Sequence, residues 1–93
     1  MSKSRKRKLA VKNLFLIKRM VNAAFDKYNE EHNTDYRIRD GRLSCVPYLF
    51  DLWNKFETAE DRLIMIIINN RNRRQKNLLK ISIRNTIRRD DEN

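Results

Sequence analysis

The first long segment of the chain repeats apolar residues with the period of an α-helix. Between Leu9 and Glu31, apolar positions recur at steps of four and three, while polar residues such as Lys18 fall largely outside that series. Asn33 and Thr34 then interrupt the pattern. We therefore expect a first amphipathic helix over residues 9–31. Its apolar face comprises Ala10, Leu14, Ile17, Val21, Ala24 and Tyr28, widened by Leu16, Met20 and Phe25.

A dense aromatic stretch predicts a second helix that holds the centre of the core. Its apolar residues share one helical face, and Trp53 lies in the middle of that face, so we expect Trp53 to be buried. Ser44 and Pro47 suit the first turn of a helix, and Glu57 and Thr58 follow its last apolar residue. The face is made of Val46, Leu49, Phe50, Trp53 and Phe56.

The last third of the chain holds two apolar series separated by a polar run over residues 69–77. Thr58–Asp61 resembles a capping box, which predicts that a third helix begins there. That helix either continues to about Arg88 with a solvated middle, or breaks near residues 69–72 before a fourth element, a helix or a strand. We favour helix, because no glycine or proline occurs after residue 58.

The connection between helices one and two has two interpretations. Asp40-Gly41 is a favoured two-residue turn, and pairing around it places Tyr36, Ile38, Leu43 and Cys45 on one face of a short β-hairpin. A plain loop with a turn at the same place is equally compatible, because an isolated two-stranded hairpin is marginally stable.

These patterns predict a mainly α fold, a small three-helix domain with a short β-hairpin or a loop between helices one and two. The chain length of 93 residues suits one domain. We assign residues 1–8 to a flexible basic arm, residues 9–89 to the domain and residues 90–93 to an acidic tail.

Charge is segregated along the chain, and this segregation points to function. Residues 1–25 contain eight Lys or Arg and no acid, and residues 62–89 contain nine and again no acid. Most of the acids lie between, and the net charge is +10. A positive field of this kind suits a polyanion, so the sequence predicts a nucleic-acid-binding protein, without distinguishing DNA from RNA.

The candidate contact residues lie in the basic arm and in the third helix. Arg presents a planar fork for phosphate, and most contacts are expected to reach the backbone, with limited sequence reading. The competing interpretation is a solvated helix face and a solubilising tail. The candidates are Lys3, Arg5, Lys6, Arg7, Lys8, Asn70, Arg71, Arg73, Arg74, Lys76, Lys80 and Arg84.

Protein partners form the alternative prediction. A viral or phage-type interaction module would direct the same basic face at an acidic protein surface. The apolar surplus on helices one and three is also compatible with a homodimer. Most aromatic residues have core spacing, and only Tyr36 and Tyr48 remain candidates for stacking on bases.

Cysteine, histidine and glycine each occur once, which excludes several kinds of disulfide, metal and phosphate-binding site. One cysteine, Cys45, leaves no internal disulfide or cysteine-based zinc finger, and one histidine, His32, leaves no multi-histidine metal site. One glycine leaves no phosphate-binding loop. We therefore expect no enzyme activity and no cofactor. The longest apolar run, Leu63–Ile68, is too short for a transmembrane segment, and a cytoplasmic or nuclear location is expected.

Overall fold

The computed structural model describes residues 3–40, 49–69 and 73–89. Three helices, α1 (Lys3–His32), α2 (Phe50–Ile68) and α3 (Arg73–Arg88), cover well over half of the chain. A 3₁₀ turn, Ile38–Asp40, follows α1. Within the described ranges no residue belongs to a strand, so the mainly α class is confirmed.

Helix α1 begins earlier than its apolar pattern and ends where the pattern ends. It starts at Lys3, so residues 3–8 form helical turns rather than the flexible arm that we expected. Asn33 follows the last helical residue with a φ of 54°, in the left-handed region. The Thr34 N–H donates to the Asn29 carbonyl over 3.1 Å, which closes a Schellman-type end.

The segment after α1 is held by one side chain, and it does not form the first strand of a hairpin. The Asn29 amide oxygen accepts hydrogen bonds from the Tyr36 N–H and the Thr34 hydroxyl, each over 2.9 Å. The Asp40 carboxylate accepts from the Arg37 N–H over 3.1 Å, which closes the 3₁₀ turn instead of a hairpin turn. Ile38 is buried in that turn. The expected second strand, residues 42–45, lies outside the described residues.

Helix α2 corrects the predicted boundary between helices two and three. It runs without interruption from Phe50 to Ile68, so Thr58 lies in a helix interior and caps nothing. The physical reason is burial, because Phe56, Ala59 and Leu63 continue one buried face across the polar residues. Local capping signals lose to this continuous apolar contact.

The structure supports the second interpretation of the polar run, in which the helix breaks before a fourth element. Helix α2 ends at Ile68, and α3 begins at Arg73. The fourth predicted element is therefore a helix, α3. The described residues still contain three helices, because the predicted second helix and the first part of the predicted third helix form one helix, α2.

The core lies between α1 and α2, which run antiparallel to each other. Phe25 stacks near Trp53, with ring centroids 6.2 Å apart, whereas Ala10 shares a groove with Ile66 at the other end of α2. Helix α3 returns along α2, since Arg88 lies over the Trp53 ring. The predicted burial of Trp53 is confirmed at 4% exposure. Helices α1 and α3 consequently run in the same direction along α2.

Candidate nucleic-acid interface

The basic start of α1 is exposed around its whole circumference. Every residue of the range 5–9 is exposed, and five consecutive positions cover more than one helical turn. Arg5, Lys6, Arg7 and Lys8 therefore point in all directions around the helix axis. Lys3 lies in the same helix, in its first turn. Residues 3–8 thus form a basic helical segment continuous with the rest of α1.

A groove beside this segment adds cations from α2. Lys6 and Asn13 on α1 face Arg62 and Ile66 on α2 across a groove of about 640 Å³. The groove continues along the same two helices, where Asn13 and Arg62 also line a second depression with Lys55. Arg62 and Lys55 are seven residues apart, which is about 10 Å along a helix. Three cations, Lys6, Lys55 and Arg62, and two amides, Asn13 and Asn54, thus follow the α1–α2 groove.

The basic start of α3 lies near the same end of the molecule. Arg73 and Arg74 occupy the first turn of α3. Arg73 is four positions after Asn69, and a chain of that length spans at most about 15 Å. Lys76 is half-buried and Lys80 is exposed. Asn70 and Arg71 lie outside the described residues, so the expectation for them stays a prediction.

Arg84, another of the candidate residues, forms ion pairs with acids of α2. Its Nη2 donates to Asp61 Oδ1 over 2.6 Å. Its Nε lies 3.1 Å from Glu60 Oε1, at ion-pair distance but outside hydrogen-bond geometry. A guanidinium held by two carboxylates has little attraction left for a phosphate. The structure therefore assigns Arg84 to the packing of α3 against α2.

The centre of that packing is Glu60, which is fully buried. Arg88 donates to both carboxylate oxygens of Glu60, Nε to Oε2 and Nη2 to Oε1, each over 2.8 Å. These hydrogen bonds raise the pKa of Arg88 above its ordinary value, and burial of the guanidinium opposes the increase. The guanidinium also lies 5.2 Å from the centroid of the Trp53 ring. The pair therefore ties α3 to the aromatic core.

Lys18 is a second cation with a structural role. It is 5% exposed and lies four residues after Leu14 and three before Val21, so it belongs to the buried face of α1 and not outside it as expected. Its Nζ donates to the Arg89 carbonyl over 3.0 Å, one residue beyond the end of α3. Helix ends leave carbonyls without helical partners, and a lysine stabilises them. Lys18 thus docks the end of α3 onto α1.

The aromatic residues at the far end of α1 form a compact stack beside acids. The Tyr28 and His32 rings are 4.0 Å apart between centroids, and Tyr36 lies 5.7 Å from Tyr28. Glu31 and Asp35, both exposed, adjoin this stack in the sequence. Negative charge there disfavours a polyanion. Tyr48 lies outside the described residues.

Sequence reasoning missed three cations of the surface, Lys12, Lys55 and Arg62. Lys12 is exposed on α1, one turn beyond Lys8, and it belongs to the same acid-free block. Arg62 opens the second acid-free block. Its charge was visible, but its neighbour Lys6 is 56 positions away in the chain. Only the antiparallel packing of α1 on α2 brings the two together.

The described part of the chain offers neither a metal site nor a membrane-spanning helix. Across residues 3–40, 49–69 and 73–89, no group of three His, Cys, Asp or Glu side chains is arranged to hold a metal ion. Among the same residues, no helix combines the length and the apolar character needed to cross a membrane. Comparisons of the chain with protein-family models, with curated proteins and with solved structures find no match.

Proposed function

We propose that the protein binds nucleic acid, mainly through backbone phosphates. The proposed surface has three parts, the start of α1, the α1–α2 groove and the start of α3. The observation that carries the proposal is the exposed basic segment Arg5–Lys8 on a helix that contains no acid before Asp26.

This segment is electrostatically unfavourable for the isolated protein. The first turn of a helix has a positive partial charge and favours acids, but α1 and α3 both have none there. Lys8 and Lys12 are four residues apart, and like charges at that spacing repel one another on a helix. Phosphate groups reverse the sign of both effects. The surface is therefore stabilised by a polyanion rather than by solvent alone.

The dimensions of the groove also suit a phosphate backbone. Lys55 and Arg62 lie about 10 Å apart along α2, which corresponds to about three nucleotide steps of a B-form strand. Lys6 faces Arg62 across the groove, so cations approach a bound strand from two helices. A strand lying in this groove would bring its phosphates against the positive charges of Lys6, Lys55 and Arg62.

The side chains of this surface favour contacts with the nucleic-acid backbone over recognition of the base sequence. Arg and Lys contact phosphates, and such contacts orient a protein on nucleic acid without reading its bases. Asn13 and Asn54 are the amides that lie among these cations in the groove. We therefore expect weak sequence preference.

The proposal is tested by titration of labelled 20-nucleotide DNA and RNA, each single- and double-stranded, over a series of salt concentrations. About 5–8 phosphate contacts give a log–log slope of roughly −4 to −7 on duplex DNA. The ranking of the four ligands identifies the preferred nucleic acid. A folded protein that binds none of them at low salt contradicts the proposal.

A further inference from the structure

A second groove, between α1 and α3, has apolar walls. It encloses about 450 Å³ above α2. Val11 and Phe15 form the α1 wall, Ile83 and Ile87 form the α3 wall, and Ile67 of α2 lies in the floor. None of these five side chains belongs to the fully buried core, and Phe15 is 52% exposed. The groove thus offers apolar surface that the described part of the chain leaves uncovered.

One exposed large apolar side chain, Phe15, lies in this groove beside partly buried aliphatic side chains. Met65 on α2 has the same 52% exposure, but it is not a groove residue. Single exposed apolar residues are ordinary on protein surfaces, whereas a contiguous apolar groove marks a binding site. Phe15 with its aliphatic neighbours is of the second kind.

The α1 rim of the groove is positive. Lys8, Lys12, Phe15 and Arg19 follow one another at steps of four, three and four, so they share one stripe of α1, and all four are exposed. Arg89 lies on the opposite rim. Neither α1 before Asp26 nor α3 contains an acid. Glu60 and Asp61 of α2 are held by Arg84 and Arg88.

The occupant must therefore be apolar on one side and negative on its flanks. A second copy of this chain would bring like charge to a molecule of net charge +10. A nucleic-acid strand would find aliphatic walls with one aromatic ring, whereas base stacking needs aromatic platforms. An amphipathic helix satisfies both conditions, because its apolar stripe fills a groove and its acidic flanks meet the rim.

We propose that the α1–α3 groove binds an acidic amphipathic helix of a partner protein. Apolar residues of that helix at positions i, i+4 and i+7 lie against Phe15 and Ile83, and its Asp and Glu side chains pair with Lys12 and Arg19. The proposal does not rest on nucleic-acid binding. Lys8 belongs to both surfaces, however, so the acidic helix and a nucleic acid compete for the protein.

The test uses a synthetic 18-residue helical peptide with leucines along one face and glutamates elsewhere. Its binding to the full chain is measured by calorimetry and by methyl NMR of the isoleucines. Two further probes separate the contributions: the same peptide with lysines in place of glutamates, and polyglutamate of equal charge. We expect the acidic amphipathic peptide alone to shift the methyl signals of Ile83 and Ile87. Equal binding by polyglutamate overturns the proposal, because charge alone would then suffice.

Two variants with equal initial exposure locate the binding. Phe15→Asp introduces a negative charge into the groove, and Met65→Asp introduces the same charge at the control position. We expect Phe15→Asp to weaken the peptide at least about tenfold and Met65→Asp to leave it within about twofold. Phe15→Ala repeats the test without added charge should the aspartate variant fail to fold by circular dichroism. Equal losses at the two positions, or no peptide binding by the wild type, overturn the proposal.

Discussion

Replacing Glu60 with alanine removes the acceptor that holds α3 in place. Arg88 keeps only 18% of its side chain exposed and would lose two hydrogen bonds of 2.8 Å. Hydrogen bonds to charged groups contribute about 1.5–3 kcal/mol each, and breaking one side of a buried ion pair costs about 3–5 kcal/mol. The two routes agree, so we expect Glu60→Ala to lower the free energy of unfolding by about 3–5 kcal/mol.

The comparison with Asp61→Ala shows how much of the loss in stability depends on the burial of the ion pair. Asp61 also pairs with an arginine of α3, but its side chain is 62% exposed, and exposed pairs contribute less than about 1 kcal/mol. Both variants are measured by urea denaturation followed by circular dichroism and by Trp53 fluorescence. For a domain of this size, the Glu60 loss corresponds to a fall in Tm of at least about 12 °C.

A double-mutant cycle separates the energy of the Glu60–Arg88 interaction from the effect of changing the size and shape of the two side chains. Replacing Glu60 and Arg88 together with leucine removes both charges, and paired apolar replacements of buried ion pairs are often neutral or stabilising. We therefore expect the double variant to be more stable than either single leucine variant. The reasoning is refuted if Glu60→Ala falls within about 1 kcal/mol of Asp61→Ala, because Glu60 would then not be the buried partner of Arg88.

The remaining predictions concern the core, the helix boundaries and the start of α1. Trp53→Ala should cost about 3–5 kcal/mol in urea denaturation, and an unchanged midpoint would place Trp53 at the surface. Thr58→Ala should be neutral or slightly stabilising, because alanine is the better residue in a helix interior, whereas a loss near 1 kcal/mol would restore Thr58 as a cap. Asn33→Gly should be tolerated and Asn33→Val should destabilise in thermal melts, since β-branched residues disfavour positive φ; the reverse order would contradict the left-handed end of α1. Deleting residues 2–8 should leave a cooperative unfolding transition but flatten the salt slope of nucleic-acid binding, and an unchanged slope would remove the start of α1 from the interface.

The helical character of the chain was predictable, but its division into helices was not. Apolar spacing gave the right face for Leu14, Val21 and Phe56, since burial follows helical period directly. Thr58–Asp61 carries a capping pattern that a helix interior overrides, because the apolar face continues on both sides. Local signals of one or two kcal/mol cannot compete with several buried side chains.

The candidate site was predictable where it depends on charge and not where it depends on packing. The exposed bases at the start of α1 follow from an acid-free block. The partners of Arg84 and Lys18, Glu60 and the Arg89 carbonyl, come from distant parts of the chain, so only the tertiary structure shows these two contacts.

The most direct test of nucleic-acid binding compares two variants with equal net charge. Arg7→Glu with Lys8→Glu reverses the start of α1, and Lys27→Glu with Arg39→Glu reverses two exposed bases elsewhere. Residues 8 and 27 are about 30 Å apart along α1, beyond the screening length of about 10 Å at 0.1 M salt.

Affinity for the preferred 20-nucleotide ligand is measured at about 0.1 M salt, after circular dichroism confirms that both variants fold. Loss of two phosphate contacts predicts a decrease on the order of 50-fold for the Arg7 and Lys8 variant, with a salt slope smaller by about 1.8. The Lys27 and Arg39 variant should remain within a fewfold of the wild type. Equal losses in the two variants, or no loss in the first, would contradict binding through the start of α1.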